Sequence, residues 1–111
     1  MSTQIPPDAL EAYDSLVARF PDVERKGKTM PYTSLNGHMF SHLSKEGEMG
    51  LRLSETDRTE FIQEHRAELF VQHGRTMKEF VAVPKSLLHS MDLDHWFSKS
   101  LSYTSSLKPK K

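Results

Sequence analysis

The side chains of this chain that could do acid–base or metal chemistry are six histidines and 15 acidic residues. Cysteine is absent, which excludes thiolate ligands and a thiol nucleophile. His38 and His42 are four positions apart in a predicted β-strand, so they should share one face at a separation of about 13 Å, too far to hold one ion. His65 lies among apolar positions of a predicted helix, and we interpret it as a half-buried core residue. The sequence therefore predicts no metal site and no cofactor.

Motifs for hydrolysis and nucleotide binding do not occur in the sequence. None of the serines lies in a Gly-x-Ser-x-Gly elbow, and there is no glycine-rich phosphate loop. Aromatic and basic side chains could still form a stacking platform for single-stranded nucleic acid. That platform would consist of Tyr32, Phe40, Phe80, Arg52, Arg75 and Lys78. The balance of 15 basic against 15 acidic residues argues against nucleic acid as the partner.

The elements that must position these residues are indicated first by Asn36-Gly37, because this dipeptide between β-compatible segments predicts a two-residue hairpin. Strands are predicted before it from Tyr32 and after it to Leu43. A second turn at Glu46-Gly47 leads into a third strand, so the central part of the chain is an antiparallel meander.

Helices and a second hairpin flank the meander. A helix begins at Pro6-Pro7-Asp8 and ends before Pro21, and another begins at Ser54, which has Asp57 three positions on. Strands follow at 69–72 and 77–83 around a turn at His73-Gly74, and a helical region that includes Trp96 and Phe97 closes the chain. The predicted fold is α+β, with a two-layer architecture in which a five-stranded antiparallel sheet carries its helices on one face, in the order α-β-β-β-α-β-β-α. Residues 1–111 form one domain, with a polar basic tail from about 105.

Strand alternation predicts which side chains face the helices and which face away. Met39, Leu43, Met49, Leu51 and Leu53 suit the helix-covered face. The candidate interaction surface on the other face consists of His38, Phe40, His42, Arg52, Lys78 and Phe80.

Three stretches resemble the N-terminal domain of TfoX/Sxy-type competence regulators. They are N-G-H-M-F at 36–40, M-G-L-R-L-S at 49–54 and G-R-T-M-K-E-F-V-A-V-P at 74–84. The resemblance implies a mixed α+β fold with an antiparallel sheet, in agreement with the element order. Family members often begin the first strand with methionine, phenylalanine and glycines, whereas this chain has Met30-Pro31-Tyr32. Full-length regulators also have a second, helical domain, and this chain ends before one could begin, so DNA-linked regulation is not carried over.

The expected function is a noncatalytic protein-interaction or regulatory module, because the family offers no established catalytic residues to transfer. Its partner would be another protein or a second copy of the chain, bound through the open sheet face or an exposed strand edge. The alternative is a small-ligand-binding domain or weak enzyme with a cleft at the sheet, in which Arg52, Arg75 and His38 supply the polar groups. No apolar run of about 20 residues predicts a membrane span, and the N-terminus lacks a signal-peptide pattern, so a cytoplasmic location is expected.

Overall fold

The computed structural model describes residues 5–21, 23–27, 31–72 and 74–108, and within them the chain forms five strands and four helices. His73 in the predicted turn of the second hairpin, Lys28 and Met30 before the first strand, and the last three residues of the predicted tail lie outside the described residues. The elements are α1 (Pro7–Ala18), β1 (Tyr32–Leu35), β2 (His38–Leu43), β3 (Met49–Arg52), α2 (Glu55–His65), β4 (Leu69–Gln72), β5 (Arg75–Val83), α3 (Lys85–Leu88) and α4 (Leu93–Ser105). This order confirms the predicted α+β fold, with the last helical region divided into α3 and α4.

The strands form one antiparallel sheet in the order β1-β2-β3-β5-β4. The hairpin between β1 and β2 has positive φ at both central residues, 55° at Asn36 and 81° at Gly37. This is the type I′ geometry that the Asn-Gly dipeptide favours, because asparagine and glycine tolerate the left-handed region best.

The helices pack on one face of the sheet, which we call the helix-covered face. α1 contributes Tyr13 and Leu16 to the core, α2 contributes Phe61, and α4 contributes Trp96 and Phe97. The strand residues of this core are Phe40, Leu43, Met49, Leu51, Val81 and Val83, and Leu53 follows directly after β3. No helix in the described ranges is long and apolar enough to cross a membrane.

Local signals in the sequence set the helix ends. The hydroxyl of Ser54 accepts the backbone N–H of Asp57 at 3.2 Å, which confirms the predicted cap of α2. This helix ends at His65, and the capping residue Arg66 that follows adopts the left-handed conformation with φ 51°. α4 continues to Ser105, and Thr104 in its last turn is buried.

Two irregularities interrupt the ladders. In the β1–β2 pair, Thr33 lies opposite Ser41 but Ser34 lies opposite Met39, so Phe40 is an extra residue. In the β4–β5 pair, Leu69 lies opposite Val81 whereas Phe70 lies opposite Met77. A bulge changes the face on which the following side chains lie, and both bulges occur beside residues of the predicted interaction surface.

Candidate functional site

Phe40 was predicted to lie on the open face, and this prediction is wrong. Its side chain is 0% exposed, and its ring centroid is 5.4 Å from that of Phe97 on α4. The bulge is the cause, because it directs Phe40 and Ser41 toward the helices, where the Ser41 hydroxyl lies 2.7 Å from the Tyr13 hydroxyl. Phe40 is therefore a core residue.

The same bulge exchanges the faces of the two preceding residues. Met39 pairs with Ser34, is half-buried and lies outside the core, contrary to the prediction that it faces the helices. His38 pairs with Leu35, and its Nε2 lies 2.8 Å from the carbonyl oxygen of Lys108 beyond the end of α4. His38 therefore does not share a face with His42 as predicted. The described part of the chain contains no group of three histidine or acidic side chains that could hold a metal ion.

His42, Phe70 and Phe80 pack together on the other side of the sheet, which we call the opposite face. The ring of Phe70 meets His42 edge-on at a centroid distance of 4.6 Å, and the ring of Phe80 lies 5.4 Å from it. Gly50 of β3 lies beside His42 in the ladder, and a Cβ there would clash with Nε2 of His42. The glycine thus provides the space in which the imidazole lies. We call these three rings the aromatic cluster.

The aromatic cluster is not an open binding surface, because its members bury one another. Phe80 does lie on the opposite face, as predicted, but it is only 4% exposed. His42 is 2% exposed, and neither of its ring nitrogens has a hydrogen-bond partner in the described residues. Burial lowers the pKa of His42 from 6.5 to about 4, so its imidazole is neutral near pH 7.

Arg52 covers the aromatic cluster from one side. Its guanidinium lies 4.8 Å above the Phe80 ring, its Nε donates to the carbonyl oxygen of Met39 at 2.8 Å, and its Nη1 pairs with the carboxylate of Glu79. The guanidinium of Arg52 is therefore already bound by groups of the same chain. Lys78 is exposed and lies in the bulged part of β5, where simple alternation no longer fixes its face.

The structure does not bring the six predicted residues together into one surface. Phe40 belongs to the core, His38 lies beside the end of α4, and Phe80 contacts both His42 and Arg52. The predicted stacking platform loses two of its three aromatic rings, since Phe40 and Phe80 are buried. Arg75 lies at the end of the β4–β5 hairpin, away from Arg52 and His38. The three polar groups of the predicted cleft therefore do not line one cleft.

The two edges of the sheet differ. Beside β1, Lys26 forms an antiparallel bridge with Tyr32 through backbone hydrogen bonds of 2.8 and 2.9 Å. On the outer side of β4, no strand of the described residues is paired. Glu68 accepts the N–H of Ala82 at 2.8 Å, so alternation along β4 directs the N–H and C=O groups of Leu69 and Val71 away from β5.

Val71 makes this edge a candidate binding site. It is 58% exposed, whereas most large apolar side chains are buried. We call the outward backbone groups of Leu69 and Val71, together with the Val71 side chain, the β4 edge. The sequence predicted the strand but not its edge position. The stretch from Leu69 to Gln72 has no charged residue and no proline, whereas natural edge strands usually carry such residues as protection, so no local signal indicated an edge.

A polar cavity of about 270 Å³ lies between the end of α2 and the α3–α4 turn. The ring of His65 borders it and packs against Phe61 and Trp96 at centroid distances of 4.9 and 5.9 Å, which fits the predicted half-buried core histidine. Nε2 of His65 is 3.0 Å from a Glu64 carboxylate oxygen but lacks hydrogen-bond geometry with it. The cavity is lined by His65, Pro84, Ser86, Leu87, Ser90 and Asp92.

The chain matches no protein-family model, no curated protein and no solved structure.

Proposed function

We propose that this chain is a noncatalytic protein-interaction module that binds an extended segment of another polypeptide along the β4 edge. In this mode, the added strand continues the sheet through main-chain hydrogen bonds, and side-chain contacts supply selectivity. A regulatory role similar to that of the TfoX/Sxy N-terminal domain would use the same contact.

One observation carries the proposal: β4 combines outward backbone groups with an exposed valine on an edge that has no described covering strand. The β1 edge differs because the Lys26 bridge occupies part of it. Exposed backbone groups on a strand are a template for another strand, and an exposed apolar side chain adds area that binding removes from water.

The aromatic cluster supports this function by holding β4 in place. Phe70 is 2% exposed, and its contact with His42 ties the edge strand to β2 across the opposite face. The neighbouring Leu69 and Val71 point the other way, because successive strand residues alternate between faces. A partner can therefore pair with β4 without displacing Phe70.

The small-ligand alternative has less support. Arg52 is bound to Glu79 and Met39, and His38 contacts Lys108, so two of the polar groups expected in a cleft have internal partners. In the cavity beside His65, the Ser90 hydroxyl accepts the N–H of Asp92 at 3.1 Å, which serves the turn between α3 and α4.

Site-specific photo-crosslinking tests the proposed function. The photoreactive residue p-benzoylphenylalanine replaces Val71 in the full chain, and irradiation is carried out in the cells that produce the protein. The matched control carries the same residue at Met91, which is 66% exposed but lies in the α3–α4 turn. We expect abundant adducts from position 71 and few from position 91.

A blocking variant shows whether an adduct depends on strand pairing. Leu69→Pro removes one outward N–H without removing a hydrogen bond to β5, so it should leave the fold intact and suppress the adduct from position 71. Equal labelling from positions 71 and 91, or an adduct that Leu69→Pro does not reduce, would contradict the proposal.

A further inference from the structure

We propose that the segment paired with the β4 edge is β4 of a second copy of this chain, in an antiparallel register centred on Phe70. This inference rests on the proposed function and names its partner. It makes the sheet continuous across a two-fold axis, with the same edge contributed by each copy.

The backbone groups of β4 suit this register. Leu69 and Val71 direct their N–H and C=O groups outward, and a two-fold axis at Phe70 places Leu69 of each copy opposite Val71 of the other. Each such pair exchanges two hydrogen bonds, as in any narrow antiparallel pair. All of the outward groups of β4 therefore find partners within residues 69–71.

This register places apolar side chains of the two copies next to each other. Leu69 lies opposite Val81 of the core in β5, so Leu69 and Val71 both belong to the helix-covered side of the ladder. Leu69 is half-buried and Val71 is exposed. In this register, Leu69 of each copy lies beside Val71 of the other copy. Apolar cross-strand pairs of this kind stabilise a sheet.

Charges at the two ends of the paired strands are complementary as well. Glu68 would lie opposite Gln72 of the second copy, and Gln72 is already paired with Arg75 in its own hairpin. Glu68 and Arg75 of different copies thus fall in one row and on one face of the continuous sheet, two strand spacings or about 10 Å apart. Both residues are exposed, and within the described ranges neither forms an ion pair.

The contact is small, because β4 has only four residues. Interfaces well below about 1,200 Å² belong to weak, transient complexes. We therefore expect a weak dimer, which forms at high protein concentration and dissociates on dilution.

Sedimentation equilibrium of the full chain, from about 10 µM to about 1 mM, tests the self-pairing. We expect the average mass to rise toward twice the monomer mass. Val71→Lys should raise the dissociation constant about tenfold or more, because it places a lysine from each copy at the contact. Met91→Lys, at another large apolar side chain that is exposed, should leave the constant unchanged.

Charge exchange tests the register. Glu68→Arg and Arg75→Glu should each weaken self-association, since each places like charges in one row of the dimer. An equimolar mixture of the two variants should associate as tightly as the unaltered chain, because both rows of the mixed dimer again hold opposite charges. A change that only damages the fold would not be rescued by mixing.

The outcomes separate this inference from the function on which it rests. A chain that stays monomeric at the highest concentration, or variants that do not recover on mixing, would overturn self-pairing. If position 71 then crosslinks to a different protein and Leu69→Pro suppresses the adduct, the β4 edge remains a binding site with another occupant. If both experiments fail, the proposed function falls too.

Discussion

The two faces of the sheet bury polar groups in different ways. On the helix-covered face, the hydroxyls of Tyr13, Ser41 and Thr33 form a buried hydrogen-bonded chain, and burial raises the pKa of Tyr13 to about 12. On the opposite face, His42 is buried between two phenylalanine rings, and in the described residues neither of its nitrogens is paired. Satisfied polar groups stabilise a core, whereas an unpaired buried group costs about 1–3 kcal/mol.

The two faces of the sheet have different roles in the molecule. The helix-covered face contains the large core and determines the fold. The opposite face carries the aromatic cluster, which connects β2 with the edge strand β4 through His42 and Phe70. Changes on the first face should therefore affect folding, and changes on the second should affect how firmly the β4 edge is held.

The largest effect is expected at Phe40. Phe40→Asp should destabilise the fold by more than about 4 kcal/mol, because it removes a buried ring and places a carboxylate in the core. Met39→Asp is the matched neighbour on the opposite face and should cost about 1 kcal/mol or less. Urea unfolding of both variants checks the face assignment. A folded Phe40→Asp beside an unfolded Met39→Asp would restore the simple alternation and refute the bulge.

A smaller effect is expected from the titration of His42. The pKa of His42 is about 4 in the folded chain, and its reference value, which applies to the unfolded chain, is 6.5. The imidazole therefore binds a proton more tightly in the unfolded chain. Its contribution to stability is thus fully present above pH 6.5 and is lost as the pH falls toward 4, by about 3 kcal/mol in total. His42→Met should remove this loss.

The difference between the unaltered chain and His42→Met isolates this group from the carboxylates, which titrate in both proteins. We expect the free energies of unfolding of the two proteins to diverge as the pH falls from 6.5 to 4. His95→Gln, at an exposed histidine, is the control and should behave as the unaltered chain does. If the free energies of unfolding of the unaltered chain and His42→Met change in parallel with pH, then His42 is in contact with water or has a hydrogen-bond partner, and its pKa is not lowered.

Much of the fold could be predicted from local signals, because those signals act over a few residues. Asn36-Gly37 requires a particular hairpin, Ser54 caps α2, and Pro84 stops β5, and each of these features is present. The last helical region is divided at residues 89–92 into α3 and α4, whereas the predicted order has a single helical element there.

The candidate site was harder to predict, because it depends on bulges and on strand order. Alternation placed Leu43 and Leu51 correctly but placed Phe40 and Met39 on the wrong faces, since one inserted residue reverses the pattern. Strand order is a tertiary property, so no local pattern reveals that β4 lies at an edge. The contact of His42 with Phe70, across two intervening strands, also becomes visible only in the folded chain.

Amide hydrogen exchange along β4 tests the central claim most directly. In dilute protein, the amides of Leu69 and Val71 should exchange rapidly because they point away from β5. The amide of Phe70 should be protected because it points toward β5. At high concentration, the amides of Leu69 and Val71 should become protected as well. Protection of all three amides in dilute protein would show that the edge is already covered and would contradict the account.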